Sequence, residues 1–130
     1  AQTYTKTEVD ARTTVASTTQ AQGLTSNTTL ITPLRLAESF KGSNQSLTPN
    51  GFQKMPGGLI IQWATISIVS SPTSYNFPIA FPVSCASLTI TGLNLPVGVV
   101  EVMNPDSITA TRFLASATGG QIYKYIAIGY

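Results

Sequence analysis

From Gly58 onward, short runs of β-branched and aromatic residues alternate with clusters of turn residues, and this pattern constrains the fold most strongly. The runs recur about every 10 to 13 residues with no helical stretch between them, which predicts an antiparallel β-sandwich or a small barrel. In the first run, alternate residues from Ile60 to Ile68 share one face, as a strand requires. The predicted strands are 59–69, 75–81, 84–92, 97–103, 107–115 and 121–129.

The N-terminal residues predict a helix instead. Thr5 and Glu8 are spaced as a capping box, and Gly23 is a natural left-handed stop, so we expect a helix over most of the first 22 residues. Its apolar seam is thin, which favours packing against copies of itself, as in a coiled coil, over docking on a globular core. A frayed terminal arm is the alternative. The seam consists of Val9, Ala11, Val15 and Ala16.

A second start signal follows at Thr32-Pro33, where a capping hydroxyl precedes a proline at the first helical position. The short helix predicted there has one apolar face and is closed by Lys41-Gly42. Residues 43–55 are rich in turn signals. We therefore expect a mainly β protein with a helical, turn-rich shaft or connector over residues 1–57 and a β-sandwich domain over residues 58–130. The apolar face consists of Leu34, Leu36, Ala37 and Phe40.

Composition narrows the chemistry of this chain. Charged residues make up only 9%, whereas hydrophobic residues reach an ordinary 42%, so we do not expect a disordered chain. The chain has no histidine, which excludes Ser-His and Cys-His dyads and every His-ligated metal site. A carboxylate pair at Glu101 and Asp106 is a remote alternative to two solvated side chains at strand ends. We expect no enzyme, no catalytic residues, no metal site and no cofactor.

The same composition argues against two classes of partner. The basic residues are scattered singly between Lys6 and Lys124 and form no stripe, so nucleic acid is not an expected partner. No stretch approaches the roughly 20 apolar residues that span a bilayer, so we expect no membrane insertion. The chain begins Ala1-Gln2 without a methionine, and we expect a processed chain or a fragment of a longer one.

Four segments of the chain carry a likeness to a known family. The segments 32–37 (TPLRLA), 51–63 (GFQKMPGGLIIQW), 77–82 (FPIAFP) and 125–130 (YIAIGY) follow one another in the order seen in that family. They resemble the C-terminal receptor-binding domain of tail fibres from contractile-tailed bacteriophages and R-type bacteriocins. One departure is Ala64, where the family commonly has glycine after the tryptophan.

The resemblance implies a homotrimeric fibre of which this chain is the distal end. The β-domain would form the tip of that fibre on the virion and would act outside the cell. It implies attachment to a bacterial cell-surface glycan (lipopolysaccharide or capsule) or to an outer-membrane protein, with more proximal tail-fibre or baseplate parts as further partners. Two alternatives stay open. One is a secreted monomeric adhesin or lectin that binds carbohydrate, and the other is a fragment of a capsule-depolymerising tailspike.

The candidate receptor face follows from strand direction. If the strands alternate in direction, the loops at 70–74, 92–96 and 116–120 lie at the end of the domain away from its entry at Gly58, and those at 82–83 and 104–106 lie at the other end. Binding residues concentrate on loops held by a rigid scaffold. The candidate receptor-binding residues are Ser71, Thr73, Tyr75, Asn76, Asn94, Thr118 and Gln121.

Trp63 has a different expectation. Leu59, Ile61 and Trp63 alternate with the inward-facing isoleucines, so both faces of the first strand are apolar. We therefore expect the indole to be buried in the core or in a subunit interface rather than to act as a sugar platform. Arg112 and Lys124 are isolated charges that could meet phosphate or an acidic sugar, although solvated strand faces usually carry such residues.

Overall fold

The computed structural model describes residues 3–69, 72–93, 107–117 and 120–130. They form two compact units, Ala1–Gln45 and Ser46–Tyr130, called unit 1 and unit 2 below. No helix in these ranges is long and apolar enough to cross a membrane. The helices are α1 (Lys6–Arg12), α2 (Thr18–Gly23), α3 (Pro33–Ser39) and a 3-10 turn at Gly42–Asn44. The strands are β1 (Gln45–Ser46), β2 (Gly51–Lys54), β3 (Ile60–Ile68), β4 (Thr73–Asn76), β5 (Cys85–Gly92), β6 (Arg112–Ala115) and β7 (Gln121–Gly129).

The single N-terminal helix predicted from the sequence is two short helices, so that prediction is wrong. The capping box of Thr5 and Glu8 begins α1 as expected, but the helix ends at Arg12. Between α1 and α2, Val15 forms a parallel β-bridge with Leu30. This extended stretch interrupts the predicted seam, because threonine and valine lose little by leaving a helix and gain backbone partners in the bridge.

A second capping box, which the sequence analysis missed, begins α2. The Ser17 hydroxyl accepts the Gln20 N–H at 3.2 Å, and the Gln20 side chain accepts the Ser17 N–H at 2.9 Å. The signal was present as Ser-Thr-Thr-Gln. At the other end of α2, Gly23 is helical and the left-handed position falls on Leu24, with φ +52°. The expected glycine stop is therefore displaced by one residue.

Helix α3 begins as predicted, with the Thr32 hydroxyl accepting the Arg35 N–H at 3.3 Å and a proline in the first turn. Its apolar face is not buried within the chain, since Leu34 is 63% exposed and Leu36 is 50% exposed. The buried residue of α3 is Ser39, whose hydroxyl donates to the Leu36 carbonyl.

Unit 2 is built on antiparallel strands, as the turn spacing predicts. The five-stranded sheet has the order β1-β2-β3-β7-β5, and β4 and β6 form a separate two-stranded sheet. β7 lies between β3 and β5 and pairs antiparallel with both. Segment 46–57, which the sequence grouped with the N-terminal arm, contains β2, and β2 pairs with β3. The division of the chain into compact units falls between Gln45 and Ser46.

Two predicted strands are shorter than expected. The run 75–81 is a strand only within β4, because Pro78 has no N–H for a continuing ladder. The run 107–115 is a strand only within β6, because the Thr109 hydroxyl accepts the Arg112 N–H at 3.1 Å and folds the preceding residues into a turn. The predicted strand 97–103 lies outside the described residues.

An aromatic cluster joins the two sheets of unit 2. Phe113 on β6 packs edge-on against Tyr125 on β7 at 5.3 Å between ring centroids, and Phe77 contacts the same tyrosine at 6.0 Å. Phe81 completes the cluster against Phe77 at 5.0 Å. These rings cover one face of the five-stranded sheet, which we call its inner face.

One buried polar side chain fastens the inner face to the segment that follows β4. Gln62, fully buried on β3, donates from Nε2 to the Ile79 carbonyl and accepts the Ile79 N–H at Oε1, each at 2.9 Å. Its amide therefore satisfies both backbone groups of one residue that has no strand partner of its own. This pair of bonds positions the turn between Phe77 and Phe81 over the sheet.

Candidate functional site

Three strand ends meet at one end of the five-stranded sheet, which we call the Gln121 end. Ile68 at the end of β3 lies opposite Gln121 at the start of β7, and Gly92 at the end of β5 lies opposite Tyr123. The end of β3, the start of β7 and the end of β5 lie at the same end of the sheet because β7 runs antiparallel to both of its neighbours. The chain therefore enters or leaves the sheet at this end three times, at the sites of the predicted loops 70–74, 92–96 and 116–120.

Backbone hydrogen bonds continue beyond the strands at this end. The Ala117 N–H donates to the Val69 carbonyl at 3.0 Å, and the Leu93 N–H donates to the Ile122 carbonyl at 2.9 Å. At the opposite end, the N–H groups of Val83 and Ser84 converge on the Tyr130 carbonyl at 2.8 and 2.9 Å. The described boundaries of the loops are thus held by the sheet, which is the rigid support that a recognition surface needs.

Two of the predicted receptor-binding residues lie at the Gln121 end. Gln121 is half-buried at the first position of β7, and Thr73 is half-buried at the first position of β4, opposite Ala115. Both residues have interaction partners within the chain. Their position at strand ends, next to Ala117 and Val69, keeps them at the edge of the scaffold rather than within its core.

Tyr75 is a structural residue in this arrangement. Its hydroxyl donates to the Ser67 carbonyl at 2.8 Å, and its ring stacks on Phe113 at 5.7 Å between centroids. The ring is half-buried, with one side occupied by Phe113. Tyr75 therefore ties β4 to the end of β3, a role that the sequence analysis did not anticipate.

The structure does not place the other predicted receptor-binding residues at the Gln121 end. Asn76 is exposed at the far end of β4, opposite Arg112, and three residues of strand place it about 10 Å from Thr73. Asn76 thus belongs to a different part of the surface. The other three candidates, Ser71, Asn94 and Thr118, lie outside the described residues.

The described part of unit 2 carries few charged side chains. Its described residues include no aspartate or glutamate, and its cations are Lys54, Arg112 and Lys124. The Lys54 ammonium lies over the Phe52 ring at 5.8 Å from the centroid. Within the described ranges, no three side chains of the metal-binding types come together.

Burial keeps two further titratable groups of unit 2 neutral. Desolvation raises the pKa of Tyr125 to about 12, and the nearby Cys85 adds to that shift. Desolvation also raises the pKa of the Cys85 thiol above its ordinary value. The raised pKa values disfavour the phenolate and the thiolate at these two positions.

A second surface was only partly anticipated by the sequence. Ile61 and Trp63 on β3 point away from the inner face, and so do Ile122 and Ile126 on β7. Ile122 is 52% exposed and Ile126 is 56% exposed. Trp63 is half-buried on this outer face, so the structure does not place it in the core of the single chain. Beside the indole, Thr65, Lys124 and Ile126 line a shallow groove together with Pro49.

Comparison with known proteins identifies the class to which this chain belongs. Residues 54–130 match the C-terminal domain family of gp53-like tail fiber proteins. The match covers β3 to β7 and more than half of the chain, so the chain belongs to this family. No curated protein matches the chain.

Solved structures share the fold. The N-truncated R2-type pyocin tail fiber aligns over 100% of this chain and 53% of its own, with 18% identity and a TM-score of 0.61. The C-terminal part of the R2 pyocin fiber from P. aeruginosa aligns over 76% of this chain and 29% of its own, with 20% identity and a TM-score of 0.59. An N-truncated R1-type pyocin tail fiber aligns over 76% of this chain and 97% of its own, with 21% identity and a TM-score of 0.53. The chain thus spans about half or less of the length of the two R2 fibers, and it shares their fold.

Proposed function

We propose that this chain is the non-enzymatic receptor-binding tip of a tail fibre, which attaches a phage or bacteriocin particle to its host. The target is a bacterial surface carbohydrate or an outer-membrane protein, and the chain acts outside the cell at the distal end of the fibre. More proximal fibre or baseplate parts join it to the particle. The proposal includes neither nucleic acid as a partner nor insertion into a membrane.

The gathering of three strand ends at the Gln121 end carries this proposal. A rigid sheet that presents several connections side by side can offer many weak polar contacts at once, which suits recognition of a repetitive hydroxyl-rich surface. Thr73 and Gln121 border these connections in the described part. Ser71, Asn94 and Thr118 lie within them in the sequence, and the Tyr75 hydroxyl bonds to the Ser67 carbonyl near the end of β3.

We also propose that the functional form is a homotrimer. Exposed leucines on α3 support association, since Leu34 and Leu36 are large apolar side chains that unit 1 leaves in solvent. The continuous helical seam expected from the sequence is absent from the described residues, so the support now rests on these exposed side chains. The number three comes from the resemblance to trimeric fibres.

Binding to whole cells tests the receptor proposal. We expect the labelled full chain to bind a subset of strains in a bacterial panel. Binding should be abolished by competition with purified lipopolysaccharide if the receptor is a glycan, or by protease treatment of the cells if it is an outer-membrane protein. Replacing Thr73 and Gln121 together with lysine should weaken the binding at least about tenfold, because two long charged side chains would then stand at the border of the proposed recognition surface. The matched control is Thr111→Lys, on an exposed turn away from the Gln121 end.

Two results would overturn this function. If the double variant binds as tightly as the wild type while Thr111→Lys weakens binding, the recognition surface lies elsewhere. If the wild type releases reducing ends from purified capsular polysaccharide, the chain is a depolymerase rather than a binding tip. A fold check by circular dichroism accompanies each variant, so that a loss of binding is assigned to the surface.

A further inference from the structure

We infer that the outer face of the five-stranded sheet binds a second copy of this chain, with Trp63 and Ile126 at the centre of the contact. The inference rests on the proposed trimer and adds the surface through which unit 2 contributes to it. The outer face is defined by the outward residues of the three longest strands. They are Ile61, Trp63, Thr65 and Ser67 on β3, Ile122, Lys124, Ile126 and Ile128 on β7, and Ser87, Thr89 and Thr91 on β5.

Strand register places the apolar members of this face in adjoining rows. Ile61 lies opposite Ile128, and Trp63 lies opposite Ile126. Side chains directly opposite on neighbouring strands are in contact, so the two rows form one continuous apolar surface. The surface is open to solvent in the single chain, where Ile126 is more than half exposed. An exposed apolar surface of this kind marks an interaction site.

The polar residues of the outer face lie around these rows. The next row along the strands consists of Thr65, Lys124 and Thr91, and β5 contributes hydroxyls at Ser87 and Thr89. An apolar centre with a polar rim and few charges is the usual anatomy of a protein–protein interface. A saccharide site would need more convergent hydrogen-bonding groups at its centre than this face provides.

The near-neutral charge of the face favours a copy of itself as the occupant. A charged surface repels its own copy, whereas an apolar surface matches itself without any requirement for opposite sign. Lys124 carries the one charge on the outer face and lies outside the two apolar rows. A contact of three copies about a threefold axis beside Trp63 and Ile126 can therefore leave each ammonium at the rim.

Trp63 is held in one orientation before any partner arrives. Its indole N–H donates to the Thr48 carbonyl at 3.0 Å, and its ring lies so close to Gly51 that a Cβ there would fall 2.8 Å from Cζ2. The adjoining loop is fastened as well, because the Asn50 side chain accepts the Thr65 N–H at 3.0 Å. A fixed aromatic side chain loses little conformational entropy on binding, which makes it an effective anchor.

The size of the face fits this role. Strands of eight or nine residues are about 30 Å long, and three strands spaced about 4.8 Å apart give a face of roughly 400 Å². A standard interface takes about 800 Å² from each partner, so the three strands alone supply about half of it. Exposed residues at the sheet ends, such as Leu59, extend the apolar surface.

The test uses the full chain and its single tryptophan, which is a reporter at the centre of the contact. We expect light scattering to give a trimer for the wild type and Ile126→Lys to weaken assembly at least about a hundredfold. The Trp63 emission of the wild type should shift to longer wavelength on dilution through the dissociation range, whereas that of Ile126→Lys should be shifted at every concentration. The matched control is Ile108→Lys, an exposed isoleucine away from this face.

The outcomes separate this inference from the function proposed above. If Ile126→Lys stays trimeric with wild-type emission, the outer face is not a contact, although the trimer stands. If the wild type is a monomer at all concentrations, both the contact and the trimer are wrong, and cell binding still tests the receptor surface. Should Ile126→Lys fail to fold, Thr89→Lys, at the exposed position opposite it on β5, puts the same charge on the face.

Discussion

The two units of this chain are stabilised by different forces. Unit 1 is fastened by polar contacts, among them the Arg35–Glu38 ion pair, and the Thr18 hydroxyl also donates to Glu38 at 3.0 Å. Asn44 links α2 and α3 by donating to the carbonyls of Gln22 and Ser39, both at 2.9 Å. Unit 2 is held by a buried aromatic cluster, and its key polar bonds are themselves buried.

This difference explains why the units differ in what they leave exposed. Unit 1 buries small side chains, namely Ala16, Ala21 and Ser39, and leaves its leucines in solvent. Such a unit gains little from the hydrophobic effect within one chain and depends on caps and partners. Unit 2 buries large rings, such as Tyr123 and Phe113, and can therefore support loops and an exposed apolar face without losing its own order.

The largest effect should come from the buried amide of unit 2. Replacing Gln62 with methionine keeps the volume but leaves the N–H and carbonyl of Ile79 without partners, at about 1–3 kcal/mol for each group. We expect the free energy of unfolding to fall by roughly 2–5 kcal/mol in urea denaturation. The same substitution at half-buried Gln53 should cost less than about 1 kcal/mol. Equal losses at the two sites would show that the amide of Gln62 has no special role.

Replacing a glycine with alanine should have smaller effects, of opposite sign in the two units. A Cβ at Gly129 would lie 2.4 Å from the Ser84 carbonyl oxygen and 2.5 Å from the Phe81 ring, so Gly129→Ala should destabilise unit 2 by about 1–3 kcal/mol. In unit 1, a Cβ at helical Gly23 meets only ordinary contacts, and Gly23→Ala should stabilise α2 by about 0.5–1 kcal/mol. Thermal unfolding of the two variants measures both signs. A gain in stability for Gly129→Ala would contradict the packing described at this strand end.

Acid pH should lower the stability of unit 1, and alkaline pH should lower the stability of unit 2. The hydrogen bond from Arg35 lowers the pKa of Glu38 below its ordinary 4.5, so the stability it gives unit 1 is present above that pH and is lost as the pH falls through the folded value. Burial raises the pKa of Tyr125 to about 12, so its stabilisation of unit 2 is complete below about 10 and is lost as the pH rises toward 12.

Circular dichroism during acid and alkaline titration measures this contrast. We expect Glu38→Gln to flatten the acid transition of the helical signal and Tyr125→Phe to flatten the alkaline transition of the strand signal. The control for the second variant is Tyr130→Phe, at an exposed tyrosine. An unchanged alkaline transition in Tyr125→Phe would mean that another group controls the stability of unit 2 at high pH.

Local signals in the sequence predicted much of the fold. The capping residues Thr5 and Thr32 begin helices as expected, because a cap depends only on neighbours within the same turn. The alternation along β3 correctly assigned every second residue from Ile60 to Ile68 to one face, which is the inner face of the sheet. The family, too, could be recognised from short motifs. The long N-terminal helix was predicted wrongly because the bridge between Val15 and Leu30 joins segments that a local pattern does not connect.

The candidate site was predicted less completely. The antiparallel rule predicted that the ends of β3 and β5 and the start of β7 lie at one end of the sheet, as the structure has them. It did not predict that Tyr75 bonds to Ser67 and stacks on Phe113. Asn76 lies at the other end of β4 from Thr73. Whether a polar residue on a strand faces solvent or a neighbour depends on which strand lies beside it, and that information is not local.

By itself, the sequence determined the family, the antiparallel β character and the absence of histidine chemistry, since these follow from composition, motifs and short-range periodicity. Only the tertiary structure decided that β7 lies between β3 and β5, that Gln62 fastens Ile79, and that the outer face around Trp63 is exposed. Strand neighbours and buried pairs join residues far apart in the chain. Their choice is set by the packing of the whole unit, because many pairings satisfy the backbone equally well and only one buries the aromatic rings together.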